Sequence, residues 1–276
     1  MKTINYGLII SDYDGTLLKS DGTISDRTRE SIRRFVENGG HFAVSTGRTP
    51  AGILPQVREL GLKGVVACGQ GASIVEIESG KMLLDGRMDK AKALTVCKKM
   101  EEMGLHIHVY EPWGFSANKD NDGLKAYEKI VNVKATVIQD KPMSQFLEES
   151  SFIPSKFAAL VAAEDRDRVY KELESYFQGV DCYVTSSSIF LVEVGNNKYT
   201  KGTAVQFLSD YYQVPLEKII CVGDQLNDLT MLKAAGLGLA VKNADDGLKK
   251  ETTVFDYTND EDAICEIIEK FGYTKE

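Results

Sequence analysis

Four short polar motifs hold residue types that could bind a metal ion or a phosphate group. The first is DYDGT at residues 12–16, in which Asp12 and Asp14 lie two positions apart. Side chains at that spacing point the same way in an extended chain, and Gly15 lets the backbone turn beside them. An EF-hand calcium loop begins similarly but needs glycine at its sixth position, where this chain has Leu17. The motif therefore predicts a carboxylate pair, with a plain strand end and Asx turn as the alternative.

The other three motifs supply a hydroxyl, a lysine and further acids. STGR at 45–48 offers Thr46 and backbone N–H groups that suit a phosphate oxygen. KYTKGTA at 198–204 places Lys201 at the opening of a predicted helix. In GDQLND at 223–228, Asp224 leaves a strand while Asn227 and Asp228 fall in the first helical turn, so all three can face one crevice. Each motif alone could also be a glycine turn, a solvated lysine or an acid-rich helix start.

The elements around these motifs predict that they converge. Apolar runs at 7–11, 41–45 and 218–222 are typical of buried strands and end immediately before three of the four motifs. Predicted helices alternate with these strands, which indicates a parallel sheet covered by helices. Because ligands of open α/β sheets bind outside the carboxyl ends of the strands, we expect the motifs to share one rim.

Helix signals and a change of pattern predict the domain organisation. We expect helices from the N-cap Ser25 to Gly39, at 200–212, 228–235 and 260–271, and one from Pro50 whose path Pro55 makes irregular. Strands are also expected at 65–68 and 237–241. The middle of the chain mixes helices with alternating strands at 106–110 and 183–186. We therefore predict a discontinuous core domain of 1–83 and 194–276, with 84–193 inserted as a smaller α+β domain.

The four acids at the predicted rim require a counter-charge. Asp12, Asp14, Asp224 and Asp228 could not all stay ionised together without a cation. The motifs offer oxygen ligands and contain no histidine or cysteine. This chemistry favours Mg²⁺ over zinc.

Composition excludes several classes of partner. The chain has 276 residues with 33 basic and 41 acidic side chains, a net charge of −8, and no basic stripe for nucleic acid or anionic lipid. No apolar run is long enough to span a membrane, and the first residues do not resemble a signal peptide. Five scattered cysteines lack metal or redox spacing. We expect a protein of the cytoplasm.

Taken in order, D-x-D-G-T, T-G-R, K-G and G-D-x-x-N-D resemble the motifs of the haloacid dehalogenase superfamily. The resemblance is to its Cof-like phosphatases, which carry a large cap after the second motif, and it spans almost the whole chain. It implies an α/β fold: a Rossmann-like parallel sheet in the core domain, with the inserted α+β segment as a cap over the substrate.

The resemblance also implies roles for the motif residues. Asp12 would be the nucleophile that forms an aspartyl-phosphate, and Asp14 the acid that protonates the leaving oxygen and then activates water. Thr46 and Gly47 would hold the phosphate, and Lys201 would neutralise charge on the phosphate and on the nucleophile.

The remaining implied roles concern the metal and its surroundings. Asp12, the Asp14 carbonyl and Asp224 would bind Mg²⁺, with Asp228 supporting them. Asn227 would contact the phosphate or Lys201.

Some residues depart from the family pattern or receive no role. Gln70 stands where many relatives have asparagine, and Lys242-Asn243 where Gly-Asn is usual, so no substrate contact is assigned to Gln70, Lys242 or Asn243. His106 and His108 have metal-ligand spacing on a strand but no third ligand, and are interpreted as ordinary strand residues.

These observations predict hydrolysis of a small phosphorylated metabolite, with sugar phosphates the expected class. Two alternatives remain: a phosphomutase with the same core chemistry, and a non-catalytic sugar-phosphate-binding module. A dehalogenase is disfavoured, because Asp14 supplies a proton donor that a halide does not need. The sequence leaves the particular metabolite and the oligomeric state open.

Overall fold

A computed structural model describes residues 2–274 of the chain. The strands are β1 (Leu8–Ser11), β2 (His41–Val44), β3 (Val65–Cys68), β4 (Ser73–Glu76), β5 (Met82–Asp85), β6 (His106–Glu111), β7 (Gly114–Ala117), β8 (Ala135–Val137), β9 (Lys156–Leu160), β10 (Cys182–Ser188), β11 (Leu191–Asn196), β12 (Ile219–Gly223), β13 (Leu237–Ala240) and β14 (Thr253–Val254). The helices are α1 (Asp26–Glu37), α2 (Pro50–Glu59), α3 (Lys90–Glu102), α4 (Asp122–Val131), α5 (Met143–Glu149), α6 (Arg166–Tyr176), α7 (Lys201–Tyr212), α8 (Leu229–Ala234), α9 (Asp246–Glu251) and α10 (Ala263–Ile267). Within residues 2–274, no helix has the length and apolar character needed to cross a membrane.

The two ends of the chain build one parallel sheet. Its five strands are ordered β14-β13-β12-β1-β2, and every neighbouring pair is parallel. Strands β1 and β12 are fully buried, as their unbroken apolar runs predict. A bridge between Ser45 and Ala67 joins this sheet to the antiparallel strands β3-β4-β5. The predicted Rossmann-like parallel core is confirmed.

The middle of the chain forms a separate mixed sheet, which we call the cap. Its order is β10-β11-β9-β6-β7-β8, and only β7 and β8 are parallel. Side chains alternate between its faces. One face of the cap sheet packs against α3, α5 and α6. Helix α4 covers part of the other face, and Lys156 and Glu193 lie on that second face. The predicted inserted α+β domain is confirmed as a fold.

Two segments connect the core and the cap. They approach closely: a Cβ on Gly86 would lie 2.5 Å from the Tyr199 ring. Strand β5 of the core crosses the expected boundary at 83/84, and strand β11 of the cap crosses the one at 193/194. The division of the chain into 1–83, 84–193 and 194–276 stays a prediction.

Local signals explain most helix boundaries. Ser25 caps α1 by accepting from the Thr28 amide at 3.0 Å, and Thr200 forms a capping box with Thr203 at the start of α7. The expected irregular path at Pro55 is wrong, because α2 continues through it. Pro55 is exposed and its fixed φ suits a helix, although it has no amide N–H to donate to the carbonyl four residues earlier.

Candidate active site

Three buried carboxylates meet at the carboxyl end of the core sheet. Asp12 follows β1 and Asp224 follows β12, which pairs with β1 in parallel register. Asp228 lies in the helical turn after Asp224. One oxygen from each of the three lies within 4.8 Å of the others. The predicted convergence of distant motifs at this rim therefore occurs for these acids.

Lys201 is a buried lysine that contacts two of the three acids. It is the first residue of α7, and its Nζ donates to Asp12 Oδ1 at 2.7 Å and to Asp228 Oδ1 at 2.6 Å. Burial alone would lower the pKa of Lys201, but the charges of Asp12 and Asp228 outweigh burial and raise it. Lys201 therefore stays an ammonium ion.

One ammonium does not balance three carboxylates. Burial raises the pKa of Asp12 well above its ordinary value, against the opposing effect of Lys201. Burial and the charge of Asp228 raise the pKa of Asp224 to about 7. The cluster thus has more acidic groups than one buried ammonium can balance, and its potential metal ligands are all carboxyl oxygens. A hard divalent cation fits both properties.

Hydrogen bonds hold the acids in this arrangement. Asp228 Oδ2 accepts from the amides of Asp224 at 2.8 Å and Gln225 at 3.0 Å. Thr16 donates to Asp224 Oδ1 at 2.7 Å, which ties the first motif to the fourth. Gly15 has φ +74°, and a Cβ there would lie 2.5 Å from Asp224 Oδ2. Glycine is therefore favoured at position 15 by the left-handed backbone and by the lack of room for a Cβ.

Asp14 does not join the acid cluster with its side chain. Its carboxylate accepts two bonds from Arg48, at 2.8 Å from Nε and 2.7 Å from Nη2. The Arg48 side chain is buried, and its guanidinium lies 5.1 Å from the centroid of the Tyr13 ring. This bidentate pair fixes the direction of the Asp14 carboxylate. The expected metal contact through the Asp14 carbonyl stays a prediction.

The second motif forms a tight loop beside Asp12. The Thr46 amide donates to Ala67 O at 2.9 Å, and Thr46 Oγ1 accepts from the Arg48 amide at 3.1 Å. Thr46 is buried and, with Gly47, lines the same cavity as Asp12. The loop therefore faces the same cavity as Asp12, and its contact with a phosphate stays a prediction.

A cavity of about 130 Å³ lies between these core residues and the cap. From the core it is lined by both acids of the first motif, the 46–48 loop and Asn227. The cap residues that line it are polar, charged and apolar: Tyr127, Ser187 and Ser188, Lys156 and Glu193, and Ile130, Val131, Phe190 and Leu191. A ligand in it would contact both domains.

Comparison with known proteins decides the family. The family model described as haloacid dehalogenase-like hydrolase matches residues 9–268. The chain belongs to this family. Its relatives match it over nearly their whole length. The resemblance to the Cof-like phosphatases of this haloacid dehalogenase-like family is therefore confirmed.

Two relatives from Bacillus subtilis illustrate the similarity. Phosphatase YwpJ is 27% identical over 280 residues, which cover 95% of this chain and 98% of that protein. The 5-amino-6-(5-phospho-D-ribitylamino)uracil phosphatase YitU is 28% identical over 281 residues, covering 98% of this chain and 99% of that one. The predicted enzyme class is confirmed: the chain is a phosphatase of the haloacid dehalogenase superfamily.

Solved structures support the fold. A haloacid dehalogenase-like hydrolase from B. subtilis superposes with a TM-score of 0.85 at 24% identity, covering 96% of this chain and 99% of that one. At this identity the similarity concerns the fold, including the cap.

Three residues at this haloacid dehalogenase-like site had no role in the sequence analysis. Gln70, Lys156 and Glu193 are all buried, and Lys156 is paired with Glu193. Gln70 has a left-handed backbone, with φ 63°. A usable signal was present for two of them: Lys156 opens the strand sequence KFAAL and Glu193 lies within LVEV, so each is a charge in an apolar strand.

The two histidines of the cap do not belong to the three-acid cluster. His106 and His108 lie two positions apart on the same face of β6, with ring centroids 4.9 Å apart. His108 packs against Phe115 and Tyr127. Among residues 2–274 the three-acid cluster is the one group of potential metal ligands found, which agrees with the interpretation of both histidines as strand residues.

Proposed function

We propose that this phosphatase hydrolyses small-molecule phosphate monoesters with Mg²⁺, through an aspartyl-phosphate on Asp12. The observation that carries the proposal is the position of Asp12. Its carboxylate lines the cavity, one oxygen bound by Lys201, and Asp224 and Asp228 lie beside it. Within the described residues, the other oxygen accepts no hydrogen bond and is available to attack phosphorus.

The other residues would divide the work as follows. Lys201 holds the Asp12 carboxylate in place and, as a fixed ammonium, offsets charge on the phosphoryl oxygens. Thr46 and Gly47, which line the same cavity, bind the transferred phosphoryl group. Asn227 lies at the same cavity as a further polar contact.

Asp14 is proposed as the proton carrier. It lines the cavity, and Arg48 fixes its carboxylate. In the first step it gives a proton to the leaving oxygen, and in the second it removes one from the water that attacks the aspartyl-phosphate.

Asp12, the Asp14 carbonyl and Asp224 are proposed to hold Mg²⁺, with Asp228 fixing their arrangement through Lys201 and the Asp224 amide. Bound there, the ion would polarise the phosphoryl group and neutralise its charge. The surplus of carboxylates at the rim supports this assignment.

Small polyhydroxylated esters, with sugar phosphates first, are the proposed substrates. The cavity is small and covered by the cap, which argues against phosphoproteins. Ser187 and Ser188 line the cavity, and hydroxyl side chains can both donate to and accept from a leaving group that carries hydroxyls of its own. The name of relative YitU also refers to a phosphorylated ribityl compound. The cysteines, all unpaired and buried, are compatible with the proposed cytoplasmic location.

The test is phosphate release from a panel of metabolite phosphates, with and without Mg²⁺, by wild type and Asp12→Asn. The variant keeps the size of the side chain but loses the nucleophile, so kcat should fall by a factor on the order of 10⁴ or more. Asp122→Asn, on the exposed start of α4, is the matched control and should keep full activity. Substantial turnover by Asp12→Asn would remove Asp12 as the nucleophile, and an isomerised ester in place of free phosphate would indicate a mutase.

A further inference from the structure

The cap carries a buried ion pair that faces the core. Lys156 in β9 pairs with Gly195 of β11, two residues from Glu193, so both side chains point to one face of the cap sheet. Lys156 is 2% exposed and Glu193 is 1% exposed, and they form a salt bridge. Removing two charges from water costs about as much as their attraction returns, so such a pair is weak evidence for stability. Its position at the cavity suggests another role.

Lys156 makes a second contact, and that contact crosses to the core. Its Nζ donates to the carbonyl oxygen of Gly47 at 2.9 Å. Gly47 belongs to the loop proposed to bind phosphate. A lysine of the cap therefore orients a peptide of the phosphate loop, and it can do so only when the cap is closed on the core.

Glu193 is linked to the core by a second set of hydrogen bonds. Gln70 Nε2 donates to Glu193 Oε2 at 2.7 Å, and Asn227 Nδ2 donates to Gln70 Oε1 at 2.9 Å. Because a carboxylate only accepts hydrogen bonds, Glu193 determines which end of the Gln70 amide faces it. The other end then determines how Asn227 is turned. Glu193 thus sets the orientation of a side chain that lines the cavity.

We propose that Lys156 and Glu193 are positioning residues that make the phosphate site depend on cap closure. The two contacts reach the core at Gly47 and, through Gln70, at Asn227, and both of these residues line the cavity that holds Asp12. With the cap open, neither contact exists. This inference rests on the proposed function of the 46–48 loop and Asn227 in phosphate binding.

The inference predicts a loss that is common to all substrates. In Lys156→Met, KM for every ester and the Ki of inorganic phosphate should rise about tenfold to a hundredfold, with kcat less affected, since a hydrogen bond from a charged donor is lost. The ratio of kcat/KM between a sugar phosphate and p-nitrophenyl phosphate should stay within about twofold of wild type, because both esters share the phosphoryl group. A selective loss for the sugar phosphate would show that the pair contacts the leaving group and would overturn the proposal.

Two further variants control for folding. Lys156→Met with Glu193→Gln removes both charges, so no unpaired charge stays buried, and the double variant should show the same rise in KM and Ki. Lys92→Met removes a lysine from a cap ion pair, with Asp181, that does not reach the core, and it should behave as wild type. Equal effects of Lys92→Met and Lys156→Met would assign the loss to general weakening of the cap.

A measurement without substrate separates this inference from the proposed function. Hydrogen exchange of peptides covering residues 45–50 should be faster in Lys156→Met and in the double variant than in wild type and Lys92→Met. Unchanged exchange would overturn the coupling even in an active enzyme. If wild type releases no phosphate from any ester, the proposed function fails, and the exchange comparison still tests the coupling.

Discussion

Two buried lysines, Lys201 in the core and Lys156 in the cap, are both paired with carboxylates but differ in charge balance. Lys201 has three carboxylates around it, two of them in direct contact. Lys156 has Glu193 alone and places its ammonium 4.6 Å from the Tyr110 ring centroid. The core cluster has more acids than its one lysine can balance and can take up a cation, whereas the cap pair has one acid for one lysine and needs no ion. The first arrangement suits binding and chemistry, and the second suits a fixed contact between domains.

The largest expected effect tests whether the charges of Lys156 and Glu193 in the cap balance one another. Lys156→Met alone leaves Glu193 buried without its cation, and the free energy of unfolding should fall by about 3–5 kcal/mol. Adding Glu193→Gln removes that charge and keeps an acceptor for Gln70, so the double variant should recover most of the loss. Chemical denaturation of wild type, Lys156→Met, Glu193→Gln and the double variant gives the coupling free energy between the two side chains. Additive losses would mean that the two charges do not balance one another.

A smaller effect tests the surplus charge of the core. Binding of Mg²⁺ to the native state at about 100 times its Kd should raise the free energy of unfolding by about 2.7 kcal/mol. Thermal melts in EDTA and in Mg²⁺ measure this difference. Asp224→Asn removes one proposed ligand and should lose most of the shift.

The cap pair supplies the control for the magnesium experiment. Lys156→Met with Glu193→Gln should keep the full magnesium shift, because its charges are separate from the three-acid cluster. A wild-type melting temperature that is the same in EDTA and Mg²⁺ would contradict the comparison between the two regions.

The difference between the two lysines also explains what could be predicted from the sequence. Asp12 and Asp224 directly follow apolar parallel strands, and this local pattern predicts that they meet at one rim. Lys201 opens a capped helix, and its place beside them was implied by the family resemblance. Lys156 and Glu193 meet because of the register between β9 and β11, and they reach Gly47 and Gln70 because of domain packing. Neither the register nor the packing is encoded within a short stretch of sequence. The contact of Arg48 with Asp14 was also missed, because the position of a motif does not give the direction in which each of its side chains points.

The smallest expected effect distinguishes the interior of the cap from that of the core. Burial lowers the pKa of His108 to about 3, with smaller contributions from His106 and Lys156. The unfolded chain binds the proton near pH 6.5, so stability is lost as the pH falls below 6.5. At pH 5.5 this linkage amounts to about 1.4 kcal/mol. His108→Phe should remove that part of the pH dependence, measured as unfolding free energy at pH 7.5 and 5.5, while His41→Phe, at the partly exposed start of β2, should remove less of it. An equal slope in wild type and His108→Phe would show that His108 does not carry the acid sensitivity of the cap.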